Sequence, residues 1–288
     1  MKIASDPASL AENLSALRLP GKRIGLVPTM GNLHEGHLSL VDYARGCCDA
    51  VVVSIFVNPK QFGPQEDLDA YPRTLDADLA QLAARDTALV FTPTVEDIYP
   101  QGVEVHTTVS VPELTDVLCG ASRPGHFDGV STVVCKLLNM VSPDVAVFGQ
   151  KDLQQLLLIQ KMVKDLAIAT HIVGMPTARA SDGLALSSRN GYLSVDDRAI
   201  APTLYKTLTA ISTEILSGDR DFNELCTDGC KILEQAGFEV DYLEIRRCND
   251  LATATASDEH IAVFAAAKLG NTRLIDNIQI NIKGGATP

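Results

Sequence analysis

Two rhythms of apolar and polar positions alternate along the first 175 residues. Compact apolar runs occur at RIGLV (23–27), AVVVSIFV (50–57), ALVF (88–91), DVAVFG (144–149) and THIVGMP (170–176). They are short and rich in β-branched residues, which suits strands covered on both faces. Between them, HLSLVDYARGCC (37–48), a stretch near 74–84, GVSTVVCKLLNMV (129–141) and LQQLLLIQKMVKDL (153–166) repeat apolar residues at helical spacing. Strands alternating with helices predict right-handed crossovers and an α/β fold with a doubly wound parallel sheet.

Beyond Pro176 the rhythm changes. A polar loop, TARASDGLALSSRNGYLS (177–194), precedes helical stretches at 196–216 and 222–236 and extended segments at 238–245, 260–270 and 272–280. This pattern predicts a first domain over 1–177 and a smaller α+β domain over 178–288. No internal repeat or low-complexity segment interrupts either part.

Composition adds exclusions. A length of 288 residues with 46% hydrophobic and 21% charged positions is ordinary globular usage, able to bury a sizeable core. Aromatic residues make up 5% and Trp is missing, so aliphatic side chains must carry the packing. A formal charge of −12 argues against a general nucleic-acid-binding face, yet leaves room for an anionic small molecule held by a local cluster of donors. Seven cysteines without a C-x-x-C pair read as a reduced chain, with cysteine and methionine as core filler. The N-terminal segment lacks a signal-peptide run, and no stretch of apolar residues is long enough to span a bilayer. The expectation is a soluble cytoplasmic protein with neither membrane nor nucleic acid as partner.

Candidate chemistry gathers where strands end. PTMGNLHEGHLSLV (28–41) follows the first core strand and opens a helix, with His34 and His37 three apart around Gly36. A helix N-terminus offers N–H groups and partial positive charge to a phosphate, and Gly36 permits close approach. A metal reading needs further ligands, and HEGH is not H-E-x-x-H; two solvent-facing histidines at a helix start are the plain alternative. VFGQKDLQQLLLIQ (147–160) repeats the placement, with Gly149 at the turn and Lys151 and Asp152 at the helix start. There a lysine reaches phosphate oxygens, while Asp152 can cap the helix or hold a ribose hydroxyl or Mg²⁺. In DGLALSSRNGYLS (182–194), Ser187, Ser188 and Arg189 offer hydroxyls and a planar cation; a flexible polar linker is the alternative, and the boundary position favours a moving lid. Asn58 and Gln61 can hydrogen-bond a small polar substrate, whereas Glu66, Asp67 and Asp69 read as a solvated acidic turn.

Taken together, VPTMGNLHEGHLSLV, SIFVNPKQFGPQEDLDAYPR, RPGHFDGVSTVV, FGQKDLQQ and DGLALSSRNGYLS, spread over residues 22–195, resemble the pantothenate synthetases, the pantoate–β-alanine ligases. H-x-G-H alone marks only the wider nucleotidyltransferase superfamily. The resemblance implies a Rossmann-like first domain, a smaller C-terminal lid and a homodimer. It implies ATP as substrate and Mg²⁺ held mainly by the ATP phosphates, with no protein ligand assigned. Pantoate would be activated as its adenylate and then joined to β-alanine, releasing AMP and pyrophosphate. Met30, Gly31, Asn32, Leu33, His34, Glu35, Gly36 and His37 would form one ATP-binding segment, and Gly149, Gln150, Lys151 and Asp152 a second, with Ala178 beside the nucleotide. Leu186, Ser187, Ser188 and Arg189 would close over the triphosphate. Gln61 and Gln155 would bind pantoate, with Asn58 a further contact. The resemblance gives His37 as proton donor; charge stabilisation by its imidazolium is an equal alternative. Gln150, Leu153 and Ala178 stand where Glu, Tyr and Val are common. Another nucleotidyltransferase would not need the Gln61 and Gln155 pocket, a tRNA synthetase is opposed by the negative charge, and a nucleotide sensor would not need Lys151, both histidines and the S-S-R loop together.

Overall fold

The computed structural model describes residues 1–63, 66 and 68–283, with the backbone of 285–287. It divides into two compact units. The first comprises Met1–Asp116, Arg123–Gln150 and Gln155–Met175, and the second Val117–Ser122, Lys151–Gln154 and the chain from Pro176 onward. Two short excursions thus join the second unit. Their hydrogen bonds explain why: the Gln154 side chain accepts from Cys119 N–H at 3.2 Å and donates to Val117 O at 2.7 Å. The Cys119 thiol lies 3.1 Å from the Tyr242 hydroxyl, and the Asn277 amide donates to Lys151 O at 2.9 Å.

In the first unit, strands β1 (Lys2–Ala4), β2 (Ile24–Thr29), β3 (Ala50–Ile55), β4 (Leu89–Phe91), β5 (Val145–Gly149) and β6 (His171–Met175) form one sheet in the order β1-β4-β3-β2-β5-β6. Every neighbouring pair is parallel. On one face Val27, Val51, Val53, Val90, Val145 and Val147 pack with Leu38, Val41, Ala44 and Leu82 from helices Glu35–Cys47 and Leu75–Ala83. The alternating residues Leu26, Val52, Leu89, Ala146 and Phe148 are buried as well, so both faces are covered and the strand sequences are nearly all apolar. The fold is the expected Rossmann-like doubly wound sheet. β1 and helix Pro7–Leu17 were not anticipated, although Asp6 caps that helix and Pro7 begins it.

The second unit has helices Val195–Ile200, Thr203–Ser217 and Phe222–Gln235 against an antiparallel sheet of β7 (Glu239–Arg247), β8 (His260–Leu269), β9 (Thr272–Asn281) and β10 (Gly285–Thr287), ordered β10-β9-β8-β7. Leu204, Leu208, Ile211, Ile215 and Leu233 pack on Ile261, Val263, Ala265, Ile278 and Ile280. The helix expected over 196–216 is two, because Pro202 has no N–H to continue the ladder. Among the described residues, no helix is long and apolar enough to cross a membrane.

Candidate active site

Crossovers from β2 run toward β3 and β4 on one side, while β5 and β6 lie on the other. The switch point of the sheet therefore falls between β2 and β5, where open α/β sheets bind ligands beyond the strand carboxyl ends. Two of the three phosphate-like motifs leave from those two strands.

After β2 the chain is held by backbone capture. The Thr29 hydroxyl donates to Ser54 O at 2.8 Å and accepts from Gly31 N–H at 3.2 Å. Gly31 has φ +81°, and a Cβ there would sit 3.0 Å from Ile55 Cγ2 and 3.2 Å from Asp78 Oδ2. Asp78, 1% exposed, accepts from Asn32 N–H at 2.9 Å, Leu33 N–H at 2.8 Å and the Thr74 hydroxyl at 3.2 Å. Leu33 then anchors in the apolar cluster beneath the sheet.

His34 occupies the N-cap of helix Glu35–Cys47, its Nδ1 accepting from Gly36 N–H at 3.1 Å. Its carbonyl takes the N–H groups of His37 and Leu38 at 2.8 and 3.0 Å. The N–H groups of Gly36 and His37 are thus already bonded, because the cap residue satisfies them. With Nδ1 accepting, a neutral His34 ring carries its proton on Nε2. The His37 ring lies beside it, centroids 4.1 Å apart and tilted by 37°. The exposed Glu35 carboxylate pairs with Arg85 at 3.2 Å. Among the described residues, no group of three or more His, Cys, Asp or Glu side chains is placed to hold a metal ion.

Gly149 ends β5, Gln150–Asp152 form a 3₁₀ turn, and helix Leu153–Asp165 follows. The Gln150 amide donates to Gly174 O at 3.3 Å, a bond that an ionised glutamate could not make. Leu153 is buried, and Gln155 is half-buried on the next turn. In the second unit, Lys151 is mostly shielded and lies 3.7 Å from the half-exposed Asp152 carboxylate.

Asn58 is completely buried and its amide fully used. Nδ2 donates to Gln61 Oε1 at 2.9 Å and to Gly129 O at 3.1 Å, while Oδ1 accepts from the Tyr99 hydroxyl at 2.8 Å and Lys60 N–H at 3.3 Å. A carbonyl that only accepts and a backbone N–H that only donates fix which way this amide faces. Asn58 therefore holds Gln61 in place. Gln61, with Oε1 occupied, has Nε2 left to donate. Burial pushes the Tyr99 phenol up to about 12, so its O–H stays a donor at neutral pH. The Gln61 carbonyl is gripped by His126 Nδ1 at 2.7 Å and Arg123 at 3.2 Å. Arg123 also forms a two-pronged pair with Glu66, at 2.7 and 2.5 Å. Glu66 is thus no solvated turn residue, and although burial pushes its carboxyl up, the Arg123 bond and charge outweigh that and hold it below the ordinary range. Asp69 is exposed as expected; Asp67 lies outside the described residues.

The S-S-R segment is a built loop. Ala180 N–H bonds Leu184 O at 2.8 Å and Leu186 N–H bonds Ala178 O at 2.9 Å, making a small hairpin turned at Gly183. Ser187 caps the 3₁₀ turn Ser188–Tyr192 by accepting from Arg189 N–H at 3.3 Å. Arg179 ties the hairpin to Asp276 through bonds of 2.6 and 2.9 Å. Burial pushes the Asp276 carboxyl up, against the opposing pull of Arg179, Asn277 N–H and Lys151.

The structure brings Met30–His37, Gly149, Gln150, Asn58, Gln61 and Gln155 into the first unit and Lys151, Asp152, Ala178 and Leu186–Arg189 into the second. Sequence reading missed Asp78, Tyr99, Arg123, His126, Arg179, Asp276 and Asn277. Each acts on a motif residue by a contact distant in sequence, and no local spacing announces such a contact.

Comparison with known proteins gives concordant relatives. The profile of the family described as "Pantoate-beta-alanine ligase" matches residues 2–279. A "Pantothenate synthetase" of Pseudomonas entomophila is 57% identical over 263 residues, covering 91% of this chain and 92% of that protein. Another, of Azotobacter vinelandii, is 55% identical over 269 residues, covering 93% and 95%. The pantothenate synthetase structure from Thermus thermophilus superposes with a TM-score of 0.90 at 43% identity, covering 98% of this chain and 99% of that one. A pantoate-beta-alanine ligase from Francisella tularensis, in complex with beta-gamma ATP and beta-alanine, gives 0.81 at 37% identity, covering 99% of both chains.

Proposed function

Because this chain belongs to the pantoate–β-alanine ligase family, we propose that it joins pantoate to β-alanine using ATP, in two steps through pantoyl adenylate. A carboxylate oxygen of pantoate attacks the α-phosphorus, the bond to the β-phosphate oxygen breaks, and pyrophosphate leaves. The β-alanine amine then attacks the acyl carbon, the bond to the adenylate oxygen breaks, and AMP leaves as the amine sheds a proton.

The observation that carries this reading is the placement of His34 at the switch point of the sheet, its Nδ1 accepting from Gly36 N–H so that a neutral ring carries its proton on Nε2. Charge moves onto phosphate oxygens in the first step, and donors fixed beforehand stabilise it without reorganising. His34 and His37 serve as phosphate contacts. Lys151, Ser187, Ser188 and Arg189 supply cations and hydroxyls, countering locally the −12 formal charge of the chain. Gln61 donates to an oxygen of pantoate, Gln155 adds a second amide, and Gln61 also serves the β-alanine side. Asp152, half-exposed beside Lys151, fits a role next to Mg²⁺, whose chemistry when bound is to neutralise phosphate charge. The ATP and β-alanine bound to the Francisella relative support the same substrates here. A homodimer belongs to the same proposal.

Pantoate labelled with ¹⁸O in its carboxylate tests the route. One labelled oxygen should leave in AMP and one remain in the amide product. Label in orthophosphate, with ADP formed, would replace the adenylate by an acyl phosphate.

A further inference from the structure

We propose that Asp276 and Asn277, consecutive residues of β9, are positioning residues that hold both cationic parts of the phosphate-handling machinery in place. The proposal rests on the reading of Lys151 and the S-S-R loop as phosphate contacts.

β9 pairs with β8 in unbroken register from Thr272 to Asn281. Successive side chains of a strand leave on opposite faces, so Asp276 and Asn277 reach different neighbours. On the helix-covered face, Asp276 (4% exposed) receives the two-pronged guanidinium of Arg179. That guanidinium also donates to Gly183 O at 3.1 Å and stacks 3.7 Å from the Tyr205 ring centre. Gly183 has φ +96°, and a Cβ there would fall 2.6 Å from the Tyr205 ring, so hairpin and helix fit closely. Arg179 pairs in the hairpin with Ala185, whose carbonyl accepts the Asn190 amide at 2.9 Å. The fork on Asp276 thereby fixes the frame from which Leu186–Arg189 extend.

On the other face, the Asn277 amide donates to Lys151 O at 2.9 Å, while its N–H donates to the Asp276 carboxylate at 2.8 Å. The carbonyl so held belongs to the residue whose ammonium must reach the phosphates. One dipeptide thus ties the lysine turn and the S-S-R hairpin to a single rigid strand. Charge neutralisation at a transferring phosphate depends on placement to within an ångström, and this link sets the placement of Lys151 relative to Arg189.

Asn277→Ala tests the link without leaving a buried charge behind. We expect its KM for ATP to rise and pantoate-dependent pyrophosphate exchange to fall, on the order of 10- to 100-fold together, with KM for pantoate unchanged and the circular dichroism spectrum intact. Because Asn277 acts through Lys151, adding it to Lys151→Ala should cost nothing more. Asp276→Asn should likewise add nothing to Arg189→Ala; it risks the fold by stranding Arg179, which is why Asn277→Ala is the deciding variant. Wild-type ATP kinetics in Asn277→Ala, or losses that add fully to those of Lys151→Ala, would overturn the proposal while leaving the ligase reading intact. A Lys151→Ala variant with normal exchange would instead remove the phosphate role of Lys151, and the proposal with it.

Discussion

Replacing His34 by asparagine keeps a side-chain acceptor near the Gly36 N–H but removes the ring Nε2–H. Asparagine is among the best N-cap residues, whereas alanine at such a position costs about 0.5–2 kcal/mol. His34→Asn should therefore keep the thermal stability of the wild type while adenylation falls on the order of 100- to 1000-fold, as when one donor at developing charge is lost. His34→Ala should lose both. Thermal melts beside pyrophosphate exchange check this; an active His34→Asn enzyme would confine the residue to capping. The same economy appears at Asn58, whose amide spends all four hydrogen bonds on its own protein and holds Gln61, the residue proposed to donate to pantoate.

At the scale of elements, the proposed pantoate side of the site rests on a contact between one turn and one helix. Gly129 in helix His126–Val141 lies so close to the turn Pro59–Gln61 that a Cβ would stand 2.3 Å from Lys60 O and 2.9 Å from Gln61 N. Backbone cannot yield as a side-chain tip can. Gly129→Ala should therefore push the turn away and raise KM for pantoate about as much as Gln61→Ala does, with KM for ATP unchanged. Steady-state kinetics with each substrate varied decides it, and a normal pantoate KM in Gly129→Ala would show that the turn adapts. The reach of the sequence ends at the same kind of contact. Apolar β-branched runs announced β2 to β6 because a strand covered on both faces must be apolar throughout, and the motifs were visible because each is contiguous. β1 is three residues of mixed polarity, too short to show a period. The Asp6–Pro7 start of the first helix and the break at Pro202 did carry local signals that the apolar pattern outweighed. Tyr99 on Asn58, Asp78 under Asn32 and Asp276 on Arg179 carried none, since each joins positions at least 41 residues apart.

Across the whole molecule, acidic side chains set the response to pH. The Arg198 hydrogen bond lowers the Asp182 carboxyl and the Lys22 hydrogen bond lowers that of Asp49, while Arg123 holds Glu66 below its usual 4.5. A carboxyl lowered in the folded state contributes stability above its unfolded value and loses it as pH falls through the folded one. Melting temperature should therefore change little around neutrality and decline below about pH 4.5. Glu66→Gln should flatten part of that decline; an unchanged acid slope would show that the Arg123 pair contributes nothing.

On the proposed reading, a chain with a formal charge of −12 brings two anions, pantoate and ATP, into reaction, and the assigned cations and donors serve that first step. Exchange of labelled pyrophosphate into ATP isolates it. With pantoate present and β-alanine withheld, label should enter ATP, and without pantoate it should not. A folded enzyme that shows no pantoate-dependent exchange, and makes no AMP when all three substrates are supplied, would contradict the adenylate chemistry assigned to this site.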